Sequence, residues 1–312
     1  MRIRTPSRIH VTLIDLNGSL GRIDGGVGFA LENPYVEIVA KESDEVVVKG
    51  RCHNADRFRR VASYLASRFG RGIEIEVKSD YKAHVGLGSG TQISLAVAKA
   101  FNDIYDLGFS VRELAHLVGR GGTSGIGVAV FEFGGFVVDG GHSRKEKPEF
   151  LPSSASKAKP APLIARLDFP DWKVVLAIPE LRGFYGVKEV NLFKEVCPIP
   201  LDEVRELCHV ILMKLLPAIA EEDLDEFGYA IRRIQKLGFK RAEIDRYGTL
   251  IWRAFEAVEG YAVGMSSTGP AVYVVTDSNA KDVERSLKSF FKEEGLSCET
   301  VITKARNSGA QS

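Results

Sequence analysis

The segment His84-Val-Gly-Leu-Gly-Ser-Gly-Thr-Gln92 sets three glycines and two hydroxyls side by side. Glycine permits left-handed backbone angles and close approach, so successive N–H groups of such a loop can converge on an anion. The apolar pattern predicts a helix from Thr91 onward, and a helix start adds its own positive end. Gly86, Leu87, Gly88, Ser89, Gly90 and Thr91 therefore read as a phosphate or diphosphate cradle. No Gly-Lys-Ser/Thr follows, and the spacing is not that of a dinucleotide fingerprint. Taken alone, the loop would also serve as a tight strand-to-helix turn. A second cluster, Gly264-Met-Ser-Ser-Thr-Gly-Pro270, brings Ser266 and Ser267 between two apolar segments. The pair suggests two walls of one cleft between domains, a common place for ligands.

Other polar residues gather beside flexible backbone. Ser7–Asn17 places Arg8, His10 and Thr12 on one face of a strand, and Asp15, Asn17, Arg22 and Asp24 follow around Gly25-Gly26. So many polar groups near a glycine turn are costly to bury without a ligand or partner. Asp24 would serve equally to stabilise the turn. Gly119–Gly125, with Thr123 and Ser124, is another possible anion nest, and Asp139 and His142 flank Gly140-Gly141 as a site or a polar turn. Arg182, Tyr185 and Glu189 follow an apolar strand, where α/β sites often lie. Glu132, in an apolar run, is a metal ligand or a paired buried carboxylate, whereas Cys208-His209 reads as helix packing.

These residues need elements to hold them. Arg2–Thr5 and Ile9–Leu16 read as strands, and Val36–Ala40 and Glu45–Lys49 as an antiparallel pair. Helical spacing runs over Asp56–Phe69, ending at Gly70, over Thr91–Tyr105, and from the cap Ser110 to Val118. Pro148–Pro162 has the composition of a surface linker. Beyond it, Trp172–Ile178 is a buried strand, and helices are expected at Leu201–Ile219, Asp223–Gln235 and Asp245–Ala257. The order strand, strand, helix, strand closes the chain, as in a two-layer α+β plait.

The 312 residues suggest two domains. Lys and Arg total 42 against 41 Asp and Glu, so neither nucleic acid nor a membrane surface is an expected partner, and any anion affinity must be local. Cys52, Cys197, Cys208 and Cys298 form no CxxC pair. The first residues form no apolar signal segment, and no apolar run approaches the roughly 18 residues of a span. A cytoplasmic location is expected.

Gly86-Leu-Gly-Ser89 resembles the central motif of the galactokinase, homoserine kinase, mevalonate kinase and phosphomevalonate kinase superfamily. Gly264–Pro270 resembles its C-terminal motif and Thr5-Pro-Ser-Arg8 its opening motif, all in order across nearly the whole chain. The resemblance implies an α+β architecture. An N-terminal α/β domain with a left-handed crossover (residues 1–160) would precede a C-terminal ferredoxin-like domain (residues 161–312).

Two positions depart from the kinase pattern. Gly90 stands where kinases carry a second serine that helps hold Mg²⁺, and Ile126-Gly127 where some carry a catalytic Asp. Ser7–Leu31, Gly119–His142 and Pro179–Glu189 closely resemble one branch, the β-ribofuranosylaminobenzene (or -hydroxybenzene) 5′-phosphate synthases of methanopterin biosynthesis. That resemblance implies transfer of phosphoribose from 5-phosphoribosyl 1-diphosphate to 4-hydroxybenzoate or 4-aminobenzoate, with loss of CO₂ and diphosphate. Mg²⁺ would be the cofactor, with Glu132 and Thr91 as candidate ligands. Asp15 or Asp24 would face the ribose, with His10 and Asp139 as further catalytic candidates. Arg8 or Arg22 would pair with an anionic group, and Asn17, His142, Arg182 and Glu189 would line the substrate. An ATP-dependent kinase and a non-catalytic sensor are the rival readings. The sequence fixes no oligomeric state; a homodimer is the working expectation.

Overall fold

The computed structural model describes residues 1–153 and 155–312. The first half is built on two long strands, β1 (Arg2–Asp15) and β2 (Arg22–Ser43), paired antiparallel along nearly their whole length. The two strands expected at Arg2–Thr5 and Ile9–Leu16 are thus one, with register shifts after Pro6 and after His10. β3 (Val46–Lys49), α1 (Ala55–Phe69) and β4 (Gly72–Ser79) follow. β3 pairs parallel with β4, and β4 pairs with β2. The expected antiparallel pairing of Val36–Ala40 with Glu45–Lys49 therefore does not form, because the crossover through α1 inserts β4 between them.

α2 (Ser89–Ile104), α3 (Val111–Leu117) and α4 (Ile126–Phe133) cover the sheet, and β5 (Phe136–Asp139), β6 (His142–Ser143) and β7 (Leu163–Leu167) complete it. α3 begins on the predicted cap, Ser110, whose hydroxyl accepts from the Glu113 N–H in a capping box. β7 pairs with β5, so the first sheet runs past residue 160 into the stretch that sequence reading gives to the second domain.

The second half opens with β8 (Lys173–Pro179). The helices α5 (Val187–Val196), α6 (Leu201–Val210), a π-helical turn at Ile211–Leu215, α7 (Leu216–Ala220), α8 (Leu224–Gln235), α9 (Gly238–Asp245) and α10 (Leu250–Glu256) come next. β9 (Ala262–Met265), β10 (Val272–Thr276), α11 (Ala280–Glu293) and β11 (Cys298–Lys304) close the domain. The sheet order β11-β8-β10-β9, antiparallel throughout, is the ferredoxin-like plait with extra helices inserted after its first strand.

Alternation decides the packing. On β10, Val272 and Val274 face α10 and α11, where Val283, Leu287 and Phe291 recur every fourth residue. Tyr273 and Val275 face the other way, toward Phe227, Ile231 and Ile234 of α8. Tyr273 also meets Phe29 of β2 edge-on, with ring centroids 6.0 Å apart. One apolar core therefore spans both halves, and each fully buried ring in it contributes about 1.5–3 kcal/mol. The chain end returns to the first sheet through bridges Leu31–Ala305 and Arg4–Gln311. Among the described residues, no helix is long and apolar enough to cross a membrane.

Candidate functional site

The two glycine loops lie back to back. The Ser266 hydroxyl donates to the Gly86 carbonyl at 2.7 Å and accepts from the His10 N–H at 3.0 Å. The Ser267 N–H donates to the His10 carbonyl at 2.9 Å. Gly86 has φ +92°, and a Cβ there would stand 2.3 Å from the Ser266 carbonyl oxygen, so only glycine fits. Gly88 caps α2 with φ +79° and gives the Arg8 side chain room. Behind the loop, Leu87 is buried and its carbonyl accepts from the Arg8 N–H and the Tyr81 hydroxyl. Ser89, Gly90 and Thr91, at the start of α2, line the cleft; the Thr91 N–H donates to the Gly88 carbonyl at 3.0 Å, while the N–H groups of Ser89 and Gly90 precede the reach of intrahelical bonds.

The cleft has two connected parts. The outer cavity, about 560 Å³, is lined by the glycine loop together with Arg8, Arg57, Arg60, Arg120 and His84. A smaller inner chamber of about 120 Å³ lies beyond Arg8, lined by His10, Ser124, Leu13, Phe193, Phe239 and Glu243. Arg8, Thr91, Glu189 and Ser267 border both. The Arg8 guanidinium donates to the Gly86 carbonyl.

Burial dominates the electrostatics. It lowers Arg8 to about 10, so the guanidinium stays charged at neutral pH. Arg120 is lowered to about 10 by burial and by the like charges of Arg57 and Arg60. Arg57, Arg60 and Arg120, in no ion pair among the described residues, form a site for a multiply charged anion with Glu189 at its border. Glu189, in the first turn of α5, is pushed up to about 7 by burial and by Glu243. Glu243 pairs with Lys240 at 2.5 Å, both buried, and Lys240 also donates to the Ser267 carbonyl at 2.9 Å. His10 is held well below its ordinary value by burial and then by Arg8, so it is neutral; its Nε2 lies 3.1 Å from the Ser124 hydroxyl.

The two departures from the kinase pattern lie beside other side chains of the cleft. A Cβ at Gly90 would lie 2.9 Å from Arg57 Nη1, the mobile end of that side chain, and a Cβ at Gly127 would lie 3.0 Å from the Thr91 methyl.

Several sequence candidates stand elsewhere. Asp15 accepts from the Asn17 and Gly18 N–H groups, and Asn17 donates to the Ile199 carbonyl, so both are engaged in a turn and line neither part of the cleft. Arg22 donates to the carbonyls of Gly140 and Gly141. Asp24 and His142 form a buried pair at 2.7 Å. Asp139 accepts from the Gly125 and Gly141 N–H groups, and burial raises it to about 6. Thr123 borders the inner chamber, but its hydroxyl is engaged with Lys147 and Leu151. Arg182 is exposed and off the cleft lining, while Tyr185 stacks on His84 at its rim.

Glu132, expected in an apolar run as a ligand or a paired buried carboxylate, is an exposed residue at the end of α4 beside Gly309 and lines neither part of the cleft. Among the described residues there is no group of three or more His, Cys, Asp or Glu side chains placed to hold a metal ion. Arg57, Arg60, Arg120, Lys240 and Glu243 were missed. The first two sit a turn apart on the polar face of an amphipathic helix, a pattern shared by any solvated helix. Lys240 and Glu243 have the (i, i+3) spacing of an ordinary surface pair.

Known proteins share this architecture. Residues 56–135 match the GHMP kinases N terminal domain, and residues 215–293 match the GHMP kinases C terminal model. The chain is 64% identical over 311 residues to the beta-ribofuranosylphenol 5′-phosphate synthase of Archaeoglobus fulgidus, covering 100% of this chain and 99% of the relative. It is 44% identical to the protein of that name from Methanocaldococcus jannaschii, covering 99% of each. Among solved structures, homoserine kinase from Cytophaga hutchinsonii superposes with a TM-score of 0.68 at 17% identity, over 100% of this chain and 96% of that one.

Proposed function

The chain belongs to the beta-ribofuranosylphenol 5′-phosphate synthase family, and from that premise we propose that its cleft joins 5-phosphoribosyl 1-diphosphate to 4-hydroxybenzoate. Products are 4-(β-ribofuranosyl)phenol 5′-phosphate, CO₂ and diphosphate, in methanopterin biosynthesis. The observation that carries the reading is the two-part cleft. An arginine-rich outer cavity suits a polyanionic donor, and it opens onto a chamber edged by Phe193 and Phe239. A chamber of about 120 Å³ is close to the size, about 150 Å³, that takes up a benzene ring in another protein. The phenol in the relatives' name favours hydroxybenzoate over aminobenzoate as acceptor.

The reaction follows from those surroundings. The C1–oxygen bond to diphosphate breaks with its electron pair leaving on oxygen, and the α2 start with Arg57 and Arg120 meets that charge. The ring carbon bearing the carboxylate attacks C1. The bond to the carboxylate then breaks, its electrons restore the aromatic ring, and CO₂ departs. Arg8, between the two parts, orients the anionic groups of both substrates. Glu189 and Glu243 are the carboxylates at hand for positive charge on C1. Mg²⁺ ordinarily binds through one or two carboxylates plus substrate phosphates. Glu189 and Thr91 border the outer cavity and would hold an ion carried in on the diphosphate, which would neutralise phosphate charge. The four cysteines are unpaired, in keeping with a reducing cytoplasm.

Four measurements test this reading. Proton NMR of the product should show C1′ bonded to ring carbon; a product with C1′ on oxygen would overturn it. Excess chelator should abolish turnover, and added Mg²⁺ should restore it; full activity in chelator contradicts the metal role. Glu189 is needed as carboxylate, so kcat/KM, which reports the free enzyme, should rise with pH to a plateau above about 7. Glu189→Gln should lower the plateau roughly 100-fold, as for loss of a preorganised charge, and remove that acid limb. An unchanged limb in the variant would assign it to another group. ATP supplied as sole donor should yield no phosphorylated product.

A further inference from the structure

We propose that Leu151–Ser153 and Ala155–Pro160 form a strap, the third wall of the donor cavity, with Lys147 as the residue that positions it. Ser153 borders both parts of the cleft and Ser156 borders the outer one, where its hydroxyl also accepts from the Ala158 N–H at 3.3 Å. The proposal rests on the reading of the outer cavity as a donor site.

The strap is clamped at both ends by buried groups of the first domain. At its start, the Lys147 ammonium donates to the Leu151 carbonyl at 2.8 Å, and the Thr123 hydroxyl donates to the same oxygen. Lys147 is in turn fixed by Asp24 and by the Thr123 oxygen, each at 2.9 Å, and its side chain is 3% exposed. At the far end, His142 Nε2 bonds the Lys159 carbonyl at 2.9 Å while its Nδ1 bonds Asp24 at 2.7 Å. Arg112 grips the Pro160 carbonyl.

Asp24 is the link common to both clamps. Its backbone sits at φ +70°, a conformation seldom taken by a residue with a side chain, so the fold holds it there. A buried lysine and histidine sharing one carboxylate is more than a surface linker needs. Burying such charges is unfavourable unless each is paired and hydrogen-bonded. Here two of their bonds, from Lys147 and from His142, end on strap carbonyls, which fixes the strap at both ends beside the cleft. Asp24 and His142 are therefore positioning residues that act through the strap.

The test begins with calorimetric binding of 5-phosphoribosyl 1-diphosphate and of inorganic diphosphate to the wild-type protein. If wild type binds neither, the donor-site reading fails before the strap is examined. If it binds them, Lys147→Met should raise the donor KM at least 10-fold and leave the acceptor KM within about 2-fold. Tryptic cleavage after the exposed Lys157 should be slowed by donor in wild type and no longer in the variant. A general loss of structure would raise both KM values together and broaden thermal unfolding. A cooperatively folded Lys147→Met protein with wild-type donor KM overturns the proposal. Should that variant fail to fold, Ser153→Ala/Ser156→Ala, which leaves the clamps intact, must still raise the donor KM severalfold. Unchanged donor KM in that pair overturns it equally.

Discussion

Arg8→Ala should lower kcat/KM for both substrates by roughly 100- to 1,000-fold while the protein still unfolds cooperatively. The guanidinium stands where outer cavity and inner chamber meet, and it remains protonated at neutral pH despite burial. A preorganised charge of that kind commonly supplies ~2.7–4 kcal/mol to the transition state. Its fork also ties β1 to the Gly86 carbonyl, which holds the loop in register with the opposite wall. Arg8→Lys keeps the charge but not the planar fork, so it should recover only a small part of the loss. Steady-state kinetics with each substrate varied in turn check this. A folded Arg8→Ala protein within 10-fold of wild type would remove Arg8 from the site.

Lys240→Met should destabilise the protein by ~3–5 kcal/mol, the cost of leaving a buried carboxylate without its cation. Among the described residues Glu243 has no other cation within bonding distance, and Lys240 is fully buried, with its ammonium also on the Ser267 carbonyl. Both charges are desolvated, so the pair adds less than its short distance suggests; breaking it is what costs. Replacing both partners, as Lys240→Met/Glu243→Leu, should restore most of the stability. Turnover should stay low in that double variant, because the inner chamber has lost its carboxylate and the 266–267 loop its tether. Urea unfolding of the two variants is the measurement. A loss below 1 kcal/mol in Lys240→Met would mean that Glu243 finds water or protonates.

The fold was readable because its signals are local. Glycines at 86, 88 and 90 precede a strongly apolar helix, and the unbroken apolar run Val272–Val275 marks a strand buried on both faces. The first strands were less legible. Nothing in the composition of Glu45–Lys49 distinguishes a hairpin partner of β2 from a strand that joins the sheet only after a crossover. Within the site, the two glycine loops, Arg8, His10, Ser124 and Glu189 do border one cleft. Asp15, Asn17 and Arg22 attracted notice by density near a glycine turn, and they are occupied with that turn's own backbone. Polar residues that build a tight turn and polar residues that meet a ligand share composition. Only the path of the chain separates them. Arg120 and Glu243 reach the cleft from remote segments, and their positions depend on tertiary packing that no local pattern encodes.

The central claim is that a kinase-like scaffold here performs decarboxylating ribosyl transfer. Gly90 and Gly127 bring no side-chain oxygen for Mg²⁺ or for a proton, and they are the departures from the kinase pattern that favour this reading. The most direct test supplies carboxyl-labelled 4-hydroxybenzoate, 5-phosphoribosyl 1-diphosphate and Mg²⁺, and counts released CO₂ against diphosphate. The account predicts one CO₂ for each diphosphate, with no requirement for ATP. Diphosphate release with the label retained in the product, or turnover only when ATP is added, would contradict it.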